Sequence, residues 1–219
     1  MVDKAPPDRI RTITIAPVGL EGLLGLPMDP TGIVLFAHGS GSGRLSPRNN
    51  FVAHALRDDG LATLLFDLLT VEEAHDRRNV FDIELLARRL LMATAWIRQD
   101  AETHGLPIGY FGASTGAAAA LVAEAAREGP IAAIVSRGGR PDLAGRALSA
   151  VEAPTLLIVG GDDVEVLALN RAALVELRCA KKLVVVPGAT HLFEEPGTLK
   201  AVVEHASDWF SAHFGEVGS

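Results

Sequence analysis

The chain alternates between short apolar runs and longer amphipathic segments over most of its length. The apolar runs are nearly continuous rather than alternating with polar residues, which is typical of strands buried on both faces of a parallel sheet. The predicted strands of this kind lie in GIVLFAHG, LATLLFDL, PIGYFGAS, IAAIVSRG, PTLLIVGG and KKLVVVPG. Ahead of them, RTITI and LEGLLGLP meet around Pro17–Gly19 and predict a hairpin of two further strands.

Helical patterns fill the intervals between these strands. The predicted helices span Pro47–Asp58, Phe81–Thr103, Thr115–Glu128, Asp142–Ser149, Val166–Leu177 and Thr198–His213. Strand–helix alternation after a hairpin indicates an α/β fold, with a mostly parallel eight-stranded sheet and helices on both faces. We expect residues 1–10 to form a flexible N-terminal arm and residues 11–219 a single domain, because no linker or repeat divides them.

Composition excludes several classes of function. The net charge of −7 argues against a nucleic-acid partner, because phosphate contacts need a basic surface. No apolar stretch approaches the roughly 20 residues that span a bilayer, and the N-terminus lacks the apolar core of a signal peptide. The single cysteine, Cys179, cannot form an internal disulfide and fits a reducing compartment. We therefore expect a cytoplasmic protein with no membrane partner.

Ligands of such a sheet bind at the carboxyl ends of the strands. The residues that directly follow the apolar runs are His38–Gly43, Asp67, Ser114–Thr115, Arg137–Arg140, Asp162–Asp163 and His191. The glycine-rich loop AHGSGSGR matches neither the dinucleotide fingerprint nor the P-loop, so no nucleotide cofactor is expected. The stretch VEEAHDRR clusters carboxylates around His75 without a recognisable metal-ligand spacing. We predict no metal there, and a solvated loop near the mouth of the site.

The stretch Gly112–Gly116 (GASTG) matches G-x-S-x-G in the context that this motif requires, with the strand PIGYF before it and the helix AAAALVAEAA after it. A serine hydroxyl needs an adjacent base, which an acid must orient. Downstream of Ser114, the segment LLIVGGDD supplies two adjacent aspartates, Asp162 and Asp163, and VVVPGATHLFEE supplies His191. Ser114, one of these aspartates and His191 are the predicted catalytic residues.

The motifs AHGSGSG, GASTG, LLIVGGDD and GATHLF, in this order, resemble the α/β-hydrolase superfamily and, within it, the dienelactone-hydrolase-like proteins. The resemblance covers about residues 11 to 214 and implies an α/β-hydrolase fold, here without a large cap domain. The acid of that superfamily commonly stands in G-x-x-D, which favours Asp163 over Asp162. The resemblance also implies an oxyanion hole made by the backbone N–H groups of Ser40 and Thr115. Dienelactone hydrolase itself uses a cysteine where this chain has Ser114. The resemblance therefore does not imply that this chain acts on a dienelactone.

The function predicted from the sequence is hydrolysis of a small carboxylic ester, lactone or thioester through an acyl-enzyme. Acyl transfer and peptide cleavage could use the same triad. A non-catalytic binding or regulatory module is a further alternative, since some similar chains are joined to phosphoribosyltransferase domains. At the same edge, Arg137 and Arg140 either pair with carboxylates such as Asp142 and Glu165 or bind an anionic group of the substrate.

Overall fold

The computed structural model describes residues 9–215, and its centre is an eight-stranded sheet in the order β1-β2-β4-β3-β5-β6-β7-β8. The strands are β1 (Arg9–Ile15), β2 (Leu20–Leu26), β3 (Ile33–Ala37), β4 (Ala62–Phe66), β5 (Ile108–Ala113), β6 (Ala133–Arg137), β7 (Thr155–Gly160) and β8 (Lys181–Val186). The pairs β1–β2 and β2–β4 are antiparallel, and the other pairs are parallel. The predicted hairpin and mostly parallel sheet are therefore confirmed.

Helices connect the strands and cover both faces of the sheet. They are α1 (Pro47–Asp58), α2 (Val71–Ala74), α3 (Arg77–Val80), α4 (Ile83–Gln99), α5 (Thr115–Ala125), α6 (Val164–Glu176) and α7 (Thr198–Phe214). The range of α1 is as predicted. The helix α4 is shorter than predicted at both ends: the Asp82 carboxylate accepts the Leu85 N–H at 2.9 Å and begins it, while Asp100 has extended dihedral angles and ends it. The helix predicted over Asp142–Ser149 is present as a 3-10 helix over residues 141–150, interrupted at Gly145.

The segment Val71–Arg78 is not the loop that the sequence analysis predicted, because it lies in the two short helices α2 and α3. A capping box begins α2: the Thr70 hydroxyl accepts the Glu73 N–H at 3.2 Å, and the Glu73 carboxylate accepts the Thr70 N–H at 3.0 Å. Asp76 caps α3 by accepting the Arg78 N–H at 2.9 Å. The T-x-x-E spacing of the capping box is visible in the sequence and was the signal that could have predicted α2.

The strand β1 begins at Arg9, so Arg9 and Ile10 of the predicted arm belong to the sheet. The rest of that arm, residues 1–8, lies outside the described residues. Within residues 9–215, no helix is long and apolar enough to cross a membrane. The connections between the strands in this part of the chain contain no domain-sized insertion, so no large cap covers the carboxyl edge of the sheet.

Two apolar layers form the core, one on each face of the sheet. On one face, Leu35 of β3 and Tyr110 of β5 pack with residues of α4 and α5 such as Leu90. On the other face, Phe36 and Phe111 pack with residues of α1 and α7. Successive residues of a strand point to opposite faces of the sheet. Because helices cover both faces, the residues on each face must be apolar, which explains the continuous apolar runs of the sequence.

The first turn of α5 packs directly against the end of β3. A Cβ atom added to Gly116 would lie 2.0 Å from the Ala37 carbonyl oxygen and 2.6 Å from that of His38. No side chain fits between the two backbones, so position 116 requires glycine. This contact places the N-terminus of α5 beside the loop that follows β3.

We expect Gly116→Ala to lower the free energy of unfolding by about 1–3 kcal/mol or more, because the added methyl group overlaps a backbone oxygen. Urea denaturation measures the effect. Gly215→Ala is the control: Gly215 has an ordinary helical φ of −70° and no atom within 4 Å of an added Cβ. Equal changes in the two variants would contradict the packing argument.

Candidate active site

Ser114 lies at the sharp turn between β5 and α5. Its φ of 50° and ψ of −122° are unusual for a residue with a Cβ atom and cost on the order of 1–3 kcal/mol. Glycines packed against the turn leave room for it. A Cβ atom added to Gly112 would lie 2.4 Å from the Ala117 Cα, and one added to Gly39 would lie 2.7 Å from the Ser114 Cβ. The turn has the geometry of a nucleophile elbow, which presents the serine hydroxyl above the sheet edge.

His191 and Asp163 form a hydrogen bond of 2.7 Å between Nδ1 and Oδ2. Because an ionised carboxylate only accepts, Nδ1 carries the proton and Nε2 is left as a free acceptor, the state that a general base requires. Asp163 stands at the N-cap position of α6, yet its side chain makes no capping bond to that helix. Its carboxylate is only 14% exposed, whereas 39% of the His191 side chain is accessible.

The neighbouring aspartate, Asp162, is exposed, and its backbone N–H donates to the Ala189 carbonyl at 3.0 Å. The acid that contacts His191 is therefore Asp163, as the G-x-x-D pattern implied. The turn that carries both aspartates packs on the His191 loop: a Cβ added to Gly160 would lie 2.3 Å from the Ala189 carbonyl oxygen.

The loop after β6 links the Ser114 turn to the His191 loop. The Arg140 N–H donates to the Ser114 carbonyl at 3.0 Å. A Cβ at Gly138 would lie 3.0 Å from the His191 carbonyl oxygen and 3.6 Å from its Nδ1. These contacts bring Ser114, Asp163 and His191 to one edge of the sheet, although they come from β5, β7 and β8.

His38 anchors the beginning of the glycine-rich loop. Its Nε2 accepts the Leu68 N–H at 3.0 Å, so the ring proton is on Nδ1, which donates to the Gly39 carbonyl at 3.1 Å. Burial lowers the pKa of His38 and keeps the ring neutral. The Gly39 carbonyl and the Ser40 N–H belong to one planar peptide group. The bond to Gly39 therefore fixes the direction of the Ser40 N–H, and His38 has a structural role in this loop.

Arg44 anchors the other end of the loop. Its backbone N–H donates to Asp67 Oδ1 at 2.7 Å, and its guanidinium pairs with Asp67 Oδ2 and, at 2.5 Å, with Glu21 Oε2. The loop passes so close to Asp67 that a Cβ at Gly43 would lie 2.7 Å from Oδ1. The sequence analysis placed Asp67 beside the pocket but missed Arg44 and Glu21. Their role depends on contacts between segments far apart in the chain, which no local sequence pattern reveals.

A cavity of about 530 Å³ lies against the predicted oxyanion donors, Ser40 and Thr115. Its size is within the range of about 300–1,000 Å³ that is usual for small-molecule sites. Aliphatic side chains form much of its wall: Val18, Leu20, Leu69, Val71, Val80 and Leu86. The segment predicted to lie near the mouth of the site does contribute to this wall, through Val71, Glu72 and Ala74. Within residues 9–215, no group of three His, Cys, Asp or Glu side chains could hold a metal ion.

The two arginines predicted to bind an anionic substrate are not among the residues that line this cavity. Arg140 makes a forked pair with Asp142, with Nε–Oδ1 and Nη2–Oδ2 distances of 2.9 and 2.8 Å. Arg137 is buried, with 8% of its surface exposed, and neither its Nε nor its Nη1 has a hydrogen-bond partner within residues 9–215. Burial, and secondarily the charge of Arg48, lowers the pKa of Arg137 to about 10. Pairing with a carboxylate is therefore correct for Arg140. Binding of an anionic substrate by either arginine stays a prediction, since Ser114 and His191 are not among the residues that line this cavity either.

No protein-family model matches the sequence. The chain is 54% identical to a dienelactone hydrolase from Anabaena variabilis and superposes on its crystal structure with a TM-score of 0.91, over 96% of this chain and 99% of that one. The fold is also that of Est1E from Butyrivibrio proteoclasticus, with a TM-score of 0.78 at 17% identity over 94% of this chain and 99% of that one.

A curated protein from Mycobacterium tuberculosis, named "Putative phosphoribosyl transferase", is 58% identical over 210 residues. The match covers 95% of this chain and 47% of that protein. The chain thus spans about half the length of the curated relatives it matches.

We expect Arg137→Met to raise the free energy of unfolding by about 1 kcal/mol or more, because it removes a buried charge that has no partner among the described residues. Arg140→Met, which breaks a partly exposed ion pair, should lower it by no more than about 1 kcal/mol. Urea denaturation of both variants checks the expectation. A clear loss of stability in Arg137→Met would show that the guanidinium is compensated in the native protein.

The lowered pKa of His38 predicts a specific pH dependence of stability. The unfolded chain binds a proton at this position near the ordinary pKa of 6.5, whereas the native protein binds it only at lower pH. The contribution of neutral His38 to stability is therefore complete above pH 6.5 and decreases as the pH falls from there towards the native pKa. We expect the difference in unfolding free energy between the wild type and His38→Asn to shrink between about pH 7.5 and about pH 5.5. A difference that stays constant in urea denaturation would contradict this.

Proposed function

The chain belongs to the dienelactone-hydrolase-like group of the α/β-hydrolase superfamily, and from this premise we propose that it is a serine hydrolase of small carboxylic esters, lactones or thioesters. The observation that carries the proposal is the 2.7 Å bond from His191 Nδ1 to Asp163 Oδ2. It leaves Nε2 free to accept a proton at the edge of the sheet where the Ser114 turn lies. The strained backbone of Ser114, on the same edge of the sheet as a histidine in this tautomer, supports a catalytic role for both residues.

In the proposed reaction, Ser114 Oγ attacks the substrate carbonyl while His191 Nε2 takes its proton. The negative charge that forms on the carbonyl oxygen is held by the backbone N–H groups of Ser40 and Thr115. The bond to the leaving group then breaks as His191 returns the proton to it, which leaves an acyl-enzyme on Ser114. Water, deprotonated by His191, attacks the acyl group and releases the acid, with the serine proton restored. Asp163 orients the imidazole throughout.

Hydrolysis is favoured over acyl transfer by the access of water. The His191 side chain is 39% exposed, and the described connections contain no large insertion above it. Water can therefore reach the acyl-enzyme, and transfer to another acceptor would have to compete with it. The name of the Mycobacterium tuberculosis protein refers to a chain about twice as long, of which the match covers 47%.

We expect Ser114→Ala and His191→Ala each to lower kcat by about 10⁴-fold or more, and the double variant to be little worse, because the residues act as a unit. Asp163→Asn should lose less than either. Asp162→Asn is the matched control and should stay within about threefold of the wild type, because its carboxylate does not contact His191. If Asp162→Asn were the more damaging amide substitution in an ester assay, the assignment of the acid would be wrong.

Labelling of the folded protein with a fluorophosphonate tests the enzyme class directly. The proposal predicts one adduct, located on Ser114 by mass spectrometry, and its absence in His191→Ala, where the hydroxyl lacks its base. A folded wild-type protein that forms no adduct on Ser114 would instead support the non-catalytic binding module.

A further inference from the structure

The position of β5 in the sheet separates the two sides of the candidate site. On one side of β5 lies β3, which leads into the oxyanion loop, and on the other side lie β6, β7 and β8, which lead to Asp163 and His191. The leaving group of an ester must receive its proton from His191. It therefore lies on the β6 side of Ser114. The carbonyl oxygen points to the Ser40 and Thr115 N–H groups, and we place the acyl chain on the β3 side, in the cavity that these two residues line.

The cavity beside Ser40 lies on this acyl side. Its wall combines the β1–β2 turn, the segment after β4, α2, α3 and α4, each of which contributes aliphatic side chains. An aliphatic or aromatic acyl chain would bury apolar surface there, and each buried methylene group favours binding.

The charges in this wall are negative. Three lining residues carry carboxylates, namely Glu21, Asp67 and Glu72. The guanidinium of Arg44 pairs with the first two at once, so it could bind a substrate anion only by releasing one of them. Arg44 itself does not line the cavity. His38, which does, is held neutral by burial, which lowers its pKa.

Glu72 forms no ion pair within residues 9–215. Interactions with its own backbone N–H, with Thr70 and with His75 lower the pKa of Glu72, so its exposed side chain is ionised at neutral pH. The next residue along α2, Glu73, is instead paired with Arg89 and is one of the two residues of the capping box. The wall therefore has a net negative charge, and Glu72 is the carboxylate in it that forms no ion pair within residues 9–215.

We propose, as an extension of the proposed serine hydrolase activity, that the cavity binds an uncharged apolar acyl chain and that Glu72 excludes acyl groups ending in a carboxylate or phosphate. This choice of substrate is the opposite of the anionic substrate that Arg137 and Arg140 suggested in the sequence. An acyl chain with a terminal anion would have to leave water for an aliphatic wall and then meet a like charge without a free cation.

p-Nitrophenyl esters test the proposal, because they keep the leaving group constant while the acyl chain changes. We expect kcat/KM to rise about threefold for each methylene group from acetate to hexanoate. The hydrogen adipate ester, in which a carboxylate replaces the terminal methyl of hexanoate, should be at least about tenfold poorer than hexanoate after correction for spontaneous hydrolysis.

Charge variants identify the residue responsible. Glu72→Lys should raise the ratio of kcat/KM for adipate to that for hexanoate at least about tenfold, and Glu72→Gln should raise it less. Glu84→Lys is the matched control, since Glu84 is also an exposed glutamate in the first turn of a helix but does not line the cavity. It should leave the ratio as in the wild type.

Equal turnover of adipate and hexanoate by the wild type would overturn the proposal while the hydrolase function stands. An increase in the ratio of the same size in Glu84→Lys would overturn the role of Glu72, since a general change of net charge would then explain it. Failure of every ester together with the absence of a fluorophosphonate adduct on Ser114 would instead refute the proposed function, and this inference with it.

Discussion

The contact between the N-terminus of α5 and the end of β3 is the constraint on which the candidate site depends. The two backbones meet with no side chain between them, at Gly116 and Ala37. Since α5 begins directly after β5, this contact forces the chain to reverse within Ser114, which accepts an unfavourable backbone conformation. The same contact places the Thr115 N–H beside the loop that leaves β3. The Ser114 turn and the position of the glycine-rich loop after β3 thus both follow from this one contact.

A flexible, glycine-rich loop can hold an oxyanion only if its N–H groups are fixed before the reaction, since reorganisation during the reaction would cost free energy. Two anchors provide this here. His38 joins the start of the loop to Leu68, and Arg44 joins its end to Asp67 and Glu21. Both anchors depend on β2 and β4, the strands beside β3, so the antiparallel edge of the sheet also supports the candidate site.

The charges near the site are arranged for different tasks on its two sides. On the side of β6 and β7, Asp163 accepts a hydrogen bond from His191, and Asp142 pairs with Arg140. On the side of β3 and β4, carboxylates outnumber the guanidinium that binds them, in keeping with the acidic character of the whole chain. The buried guanidinium of Arg137 lies outside both arrangements, on the face of the sheet that α1 and α7 cover. The structure shows no compensating anion for it among the described residues.

The sequence by itself determined the strands, the long helices, their mostly parallel arrangement and the residues at the carboxyl edge. These features depend on periodicity and turn chemistry, which are local and can be read along the chain. Even the missed helix α2 had a local signal, the Thr70–Glu73 capping box. Other features were decided only by the tertiary structure. They are which aspartate contacts His191, which arginine forms an ion pair, and how Arg44 anchors the end of the glycine-rich loop. Each depends on side chains from segments far apart in the chain, whose distances and burial exist only once the sheet has assembled.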